Sequence, residues 1–305
     1  MNITESFKHR EWPDLSRKGR VTILAWIAAL PALTVIVLYR IIPILYNFYL
    51  SFNEMSYTGE LTFVGLSNYR NLLHDPVFLR SLANTFALMA TIPVGIAVAL
   101  GLAILLNQKF PGRNVFRSAI FLPYIIMMVG IGVIWQYMFQ TDAGVINYLL
   151  LQTGLVSDPI RWLSSSRWAL ISVLIVQVWK TVGFYMIILL AGIQMIPTQV
   201  YEVARIDGAS RWQRFRHITL PLLRPTIGVC FLVGIVTTYR AFDLIMVMMP
   251  QGGPNHSAEI LLTWMYKQAF SYGEFGYGAV LTMVMYVVVL LMVFAGWKLQ
   301  RRSFE

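Results

Sequence analysis

Residues 168–196 read WALISVLIVQVWKTVGFYMIILLAGIQMI, and the reading of the fold starts from that run, in which Lys180 is the single charged side chain. A bilayer core about 30 Å thick takes roughly 20 apolar residues in a helix that rises about 1.5 Å per residue, so this run is long enough to cross. Five more runs of the same kind surround it, at 21–50, 82–106, 118–139, 220–249 and 275–297. A helix satisfies its own backbone polar groups in lipid, and no run shows the period-two alternation of a barrel strand. The composition agrees with this. Hydrophobic residues make up 57% of the 305 and charged residues 12%, too few charges to cover a soluble protein of this size. The expected class is an all-α polytopic membrane protein with six transmembrane helices. The one cysteine, Cys230, lies inside an apolar run, which excludes a disulfide framework and a Cys-rich metal site. The polar first twenty residues carry no pattern of a cleavable signal peptide.

Loop charges orient the runs. Fifteen Lys and Arg fall before the first run, between the second and third, between the fourth and fifth, and after the sixth; five fall in the alternate loops. Both termini are therefore expected in the cytoplasm, and topology accounts for the formal charge of +10 without a nucleic-acid partner. The resulting division is a cytoplasmic segment at 1–20, a first span at 21–50, an extracytoplasmic loop at 51–81, a membrane core at 82–298 and a cytoplasmic tail at 299–305. The stretches 51–81 and 140–167 read as loops with at most a turn or two of helix. Trp162, Trp168, Tyr266, Tyr272 and Tyr277 read as interfacial anchors.

Beyond the quoted run comes PTQVYEVARIDGASRWQRFRHITLP, residues 197–221. Pro197 and Thr198 suit a helix start, with Val200, Val203 and Ala204 on one apolar face. Gly208 sits where that helix should stop, at a position that tolerates left-handed backbone. Ser210 followed by Gln213 is a capping-box pattern that starts a second helix carrying Trp212 and Phe215. Two readings stand at this point. A basic hairpin can lie on the membrane surface, whereas the acidic Glu202 and Asp207 gain nothing beside anionic lipid and favour a protein partner.

The run Glu202-Val-Ala-Arg-Ile-Asp-Gly-Ala209, followed by Ile218-Thr-Leu-Pro221, resembles the EAA loop of ABC importer permeases, with Val203 in place of the first alanine. Phe63 to Tyr69, Leu122-Pro123-Tyr124 and Gly252-Gly253-Pro254 resemble the carbohydrate-uptake branch typified by the maltose and glycerol-phosphate permeases. The resemblance implies the type I importer permease fold and a coupling set of Glu202, Ala204, Asp207, Gly208, Ala209, Ile218 and Pro221. It implies a second homologous permease subunit, two cytoplasmic ATPase subunits that carry ATP and Mg, and an extracytoplasmic solute-binding protein. No cofactor is expected on this chain: it has no G-x-x-x-x-G-K-[ST] loop to cradle nucleotide phosphates. The implied cargo is a sugar or sugar-like solute: an oligosaccharide, disaccharide, polyol or glycerol-phosphate.

Ionisable groups at membrane depth are costly and mark candidate functional positions. They are Arg40, Lys180, Arg240 and Asp243, of which Arg240 and Asp243 share a helical face and read equally well as a self-neutralising pair. The resemblance adds Thr181, Val182, Gly183, Met186, Ile235, Tyr239 and Phe242 as positions matching the family's solute path. A stand-alone secondary transporter or channel is the competing reading; it leaves the loop around Gly208 without a role, and no internal repeat is visible. A membrane-embedded enzyme is third, with no H-E-x-x-H and no G-x-S-x-G motif.

Overall fold

The computed structural model describes residues 17–55, 59–238 and 241–301, which fall into a first unit ending at Leu50 and a second beginning at Ser51. The first unit is one apolar helix: α1 (Arg17–Ile36), a π-helical turn at Val37–Ile41, and α2 (Ile42–Leu50). Pro43 has no N–H for the Tyr39 carbonyl and its ring crowds that oxygen. The wider turn, in which the Ile42 N–H reaches the Val37 carbonyl, lets the helix continue past it. Arg40 lies in this turn and is exposed.

The second unit opens with a hairpin of β1 (Asn53–Met55) and β2 (Leu61–Phe63), antiparallel with Glu54 opposite Thr62. Helices α3 (Ser67–His74), α4 (Pro76–Met89) and α5 (Thr91–Asn107) follow. Asp75 caps α4 by accepting from the Val77 N–H at 2.8 Å, with Pro76 at the first helical position. The second span thus runs over Pro76–Asn107, and much of the expected 51–81 loop is ordered structure. It ends where Arg117 donates to the Leu106 carbonyl at 2.8 Å, before the left-handed Gly112.

The third run departs most from expectation. It is two helices, α6 (Arg113–Ile125) and α7 (Met128–Met138), bent by 101° at Ile126 and Met127. Beyond it lie α8 (Val145–Gln152), the long α9 (Ala169–Gln194), α10 (Thr198–Ile206) and α11 (Arg211–Arg214). A π turn at Phe215–Thr219 leads into α12 (Leu220–Thr238), then α13 (Ala241–Met248), α14 (Leu261–Tyr266), a π turn at Lys267–Ser271, and α15 (Phe275–Arg301). Among the described residues five helices are long and apolar enough to cross a membrane, and a sixth crossing exists if the bent pair counts as one.

Three packed clusters hold the second unit together. One joins the start of α9 to α7 and α13 through Val173, Val176, Ile131, Trp135, Leu244 and Ile245. The next joins the second half of α9 to α5 and α12 through Tyr185, Met186, Leu189, Ile92, Ala99 and Leu223. The third packs α3, α4 and α14 on α15 through Leu72, Phe78, Leu261, Val280 and Leu281.

Each connection at the 140–167 end of the spans is organised by one buried asparagine whose amide donates to two loop carbonyls. Asn68 reaches Ser51 at 3.1 Å and Asn53 at 3.0 Å. Asn84 reaches Ser257 at 3.0 Å and Glu259 at 2.8 Å, and Asn147 reaches Thr141 and Ile160, both at 2.9 Å. Asn147 also accepts the indole N–H of Trp162 at 2.9 Å, so that tryptophan is a buried core residue and not the interfacial anchor expected. An unmet buried carbonyl costs about 1–3 kcal/mol, so three such side chains decide where these loops lie.

Candidate functional site

The connection between α9 and α12 is a two-helix hairpin. Pro197 stands at the N-cap position of α10 without a side-chain bond, and the helix stops in a Schellman arrangement. The Ala209 N–H reaches the Ala204 carbonyl at 2.9 Å and the Gly208 N–H reaches Arg205 at 3.1 Å, with Gly208 at φ +76°. A Cβ on Gly208 would touch nothing, so glycine is needed there for backbone conformation alone. The capping box is complete: Gln213 N–H donates to Ser210 Oγ at 3.2 Å and Ser210 N–H to Gln213 Oε1 at 2.7 Å. The Tyr201 hydroxyl and Thr219 Oγ1 lie 2.9 Å apart and tie α10 to the π turn that begins the next span.

What this hairpin leaves outward is unusual. Ile206 is 85% exposed, Trp212 65% and Val203 58%, beside exposed Glu202 and Asp207. Ala204, Ala209, Ile218 and Pro221 are half-buried and form its inner side. Apolar side chains standing among charges, on a frame closed by the Schellman turn and the capping box, make a surface suited to a protein partner.

The expected path residues divide. Thr181, Met186 and Ile235 are buried in the core of α5, α9 and α12, and the Thr181 hydroxyl donates to the Gln177 carbonyl at 2.9 Å. Gly183 lets α9 touch α6: a Cβ there would sit 2.0 Å from the Ile120 carbonyl oxygen. Lys180 is buried, and its Nζ donates to the carbonyls of Pro123, Tyr124 and Ile126 at 3.1, 3.3 and 2.6 Å. These five pack within the chain. Phe242 is half-buried with its ring edge-on to Tyr266 at 5.3 Å, and Asp243 is exposed. Tyr239 and Arg240, and with them the Arg240–Asp243 pair, lie outside the described residues.

Residues 250–274, between the fifth and sixth apolar runs, contain a network not read from the sequence. Glu259 is fully buried and its Oε2 accepts from Lys267 Nζ at 2.6 Å, with His256 Nδ1 at 3.1 Å. The chain turns over this carboxylate through four left-handed residues, Gly252, Gly253, Asn255 and His256. Gly252 has no alternative, since a Cβ there would lie 2.1 Å from Glu259 Oε2. Arg80 donates to the Asn255 carbonyl, while Asp75 accepts from Trp264 Nε1 at 2.8 Å and from the Tyr277 hydroxyl at 2.6 Å. A cavity of about 930 Å³ opens here, lined in part by Ser164, Gln251, His256, Lys267 and Tyr272. One signal was available: Glu259 is the only carboxylate between Asp243 and Glu274, set between Ala258 and Ile260. Among the described residues no group of three or more His, Cys, Asp or Glu is placed to hold a metal ion.

The family described as binding-protein-dependent transport system inner membrane component matches residues 91–302. The trehalose/maltose transport system permease protein MalF of Thermococcus litoralis is 32% identical over 292 residues, covering 95% of this chain and 94% of the relative. The lactose transport system permease protein LacF of Rhizobium radiobacter is 35% identical over 283 residues, covering 90% and 92%. A crystal structure of a bacterial alginate ABC transporter, in complex with an alginate pentasaccharide-bound periplasmic protein, has a chain of the same fold. Its TM-score is 0.79 at 23% identity, with 96% of this chain and 98% of that chain covered.

Proposed function

This chain belongs to the family of binding-protein-dependent transport system inner membrane components, and from that premise we propose how it divides the work of import with its partners. It is a multi-pass inner-membrane permease subunit of an ABC importer, a transport subunit and not an enzyme. The solute is a carbohydrate, by kinship with permeases named for trehalose/maltose and lactose. A second homologous permease completes the path, an extracytoplasmic binding protein delivers the sugar, and two cytoplasmic ATPase subunits hold ATP and Mg. Both termini lie in the cytoplasm, which puts the 197–219 hairpin on the ATPase side and residues 250–274 on the delivery side.

The observation that carries this reading is the hairpin's outward face, where Ile206 and Trp212 stand exposed beside Glu202 on a frame closed by Gly208 and Ser210. Desolvating those side chains against a second protein is favourable, while Glu202 supplies a charge for a basic partner group. In this arrangement Glu202, Ala204, Asp207, Gly208, Ala209, Ile218 and Pro221 form the coupling element. Tyr239, Phe242 and Asp243 form the part of the solute path near the delivery side, and Thr181, Gly183, Met186 and Ile235 shape the packed wall behind it. The test is reconstitution: sugar uptake into vesicles should require ATP and a co-purifying nucleotide-binding subunit. Uptake by the chain alone would overturn the division of labour. Orientation is read separately, in a chain with Cys230 replaced, by an impermeant maleimide. In intact cells it should label Ser157→Cys and spare Ser303→Cys, and the reverse pattern would invert the topology.

A further inference from the structure

Lys180 is the one charged side chain of α9, and it is used on the backbone of another span. The bend between α6 and α7 turns the chain through 101°, with Ile126 and Met127 both extended at ψ 139°. Past such a break the last carbonyls of α6 have no N–H four residues on to accept from, and lipid offers no water in its place. An ammonium has three N–H donors. Three carbonyls, those of Pro123, Tyr124 and Ile126, converge on Lys180 Nζ at 2.6 to 3.3 Å. The negative end of the α6 dipole points the same way, and the Tyr124 ring lies 5.9 Å from Nζ.

The two sides of the bend have different main neighbours, although Trp135 of α7 also meets Trp179 of α9 at 5.3 Å. Behind it α6 is held to α9, where Gly183 admits the Ile120 carbonyl and Tyr124 stacks on Phe184 at 4.3 Å. Ahead of it α7 is held to α13, where a Cβ on Gly132 would lie 2.9 Å from Val247 Cγ1. Helix α13 carries Phe242 and Asp243. The angle at Ile126–Met127 therefore acts together with the α9 contacts of α7 to set where the α7–α13 pair sits against the α6–α9 pair. Neither glycine nor proline stands at 126–127, so the local sequence does not hold the bend by itself.

We infer that Lys180 is a positioning residue, a latch that fixes the α6–α7 bend from α9 and so holds the α7–α13 wall of the solute path in its resting place. The inference rests on the importer reading for its consequence in transport and on geometry alone for the bend. Without the latch the bend relaxes, the resting arrangement loses its advantage by a factor of about ten or more, and hydrolysis no longer waits for the loaded binding protein.

The experiment uses the assembled transporter in nanodiscs, with Cys230 replaced and spin labels at Val115 on α6 and Tyr137 on α7, both exposed. Lys180→Met should broaden and shift the 115–137 distance distribution, and raise ATP hydrolysis in the absence of binding protein about tenfold relative to the stimulated rate. Lys180→Arg, which keeps charge and donors, should restore the narrow distribution and the low unstimulated rate. If the Met variant does not assemble, Lys180→Gln serves in its place with the same expectation. A Met or Gln variant with the unaltered 115–137 distance overturns the latch, whatever its yield. A shifted distance with an unchanged ratio of unstimulated to stimulated hydrolysis overturns its role in transport and leaves the importer reading intact.

Discussion

The connections at 197–219 and 250–274 are of similar length and each joins two consecutive spans, yet they are built on opposite terms. The first closes on itself, its turns through bonds no more than five residues apart at Ala209–Ala204 and Ser210–Gln213 and its two ends through Tyr201–Thr219, and turns Ile206 and Trp212 outward. The second is held by partners far away in sequence, Asn84 to Glu259, Thr85 to Leu261 and Asp75 to Trp264, and turns the Glu259 carboxylate inward. A surface to be covered by another chain has to keep its shape before that chain arrives, so its geometry is local. A segment that seals the end of its own bundle can take its geometry from the bundle.

The two connections should therefore respond differently to substitution. Glu259→Ala leaves Lys267 buried without its counter-charge and should cost about 3–5 kcal/mol, read as lost thermal stability of the purified transporter. Glu259→Leu combined with Lys267→Met should return most of that, because it removes both charges together. Failure of the double variant to recover would mean that the His256 contact matters as much as the pair.

Gly252 and Gly208 offer a matched pair, at φ +75° and +76°. Alanine at either position carries the same left-handed penalty, about 1–2 kcal/mol. At Gly252 the new methyl also displaces the Glu259 carboxylate, adding about 1–3 kcal/mol, while at Gly208 it meets open space. Melting of the two variants side by side should show the larger loss for Gly252→Ala; equal losses would mean that the turn over Glu259 is looser than drawn. Ser210→Ala removes one capping bond and should cost about 1 kcal/mol. Glu202→Ala should leave stability within about 0.5 kcal/mol and yet abolish uptake, since its charge faces outward.

The same contrast explains what the sequence made legible. Spans show as apolar runs, and the hairpin shows through Pro197, Gly208, Ser210 and Gln213, because each of those signals works within a few residues. The bend at Ile126–Met127 has no local mark; it depends on Lys180, more than fifty residues further on. Glu259 and Lys267 were readable only as loop charges, and their burial depends on Gly252 leaving room and on Asn84 holding the carbonyls. Met186 and Ile235 show a further limit: their place in apolar runs does not reveal that their side chains face the chain's own core.

The most direct test of the coupling role given to the hairpin is capture of the nucleotide-binding subunit by the affinity-tagged permease carrying Ile206→Asp and Trp212→Ser. Both substitutions lie on the exposed face and leave the Gly208 and Ser210 closures untouched. The variant should insert and melt like the unaltered chain, while co-purifying ATPase and ATP-driven sugar uptake both fall to background. Full capture and full uptake with that face altered would contradict the claim that residues 197–219 are where the permease receives the energy of ATP.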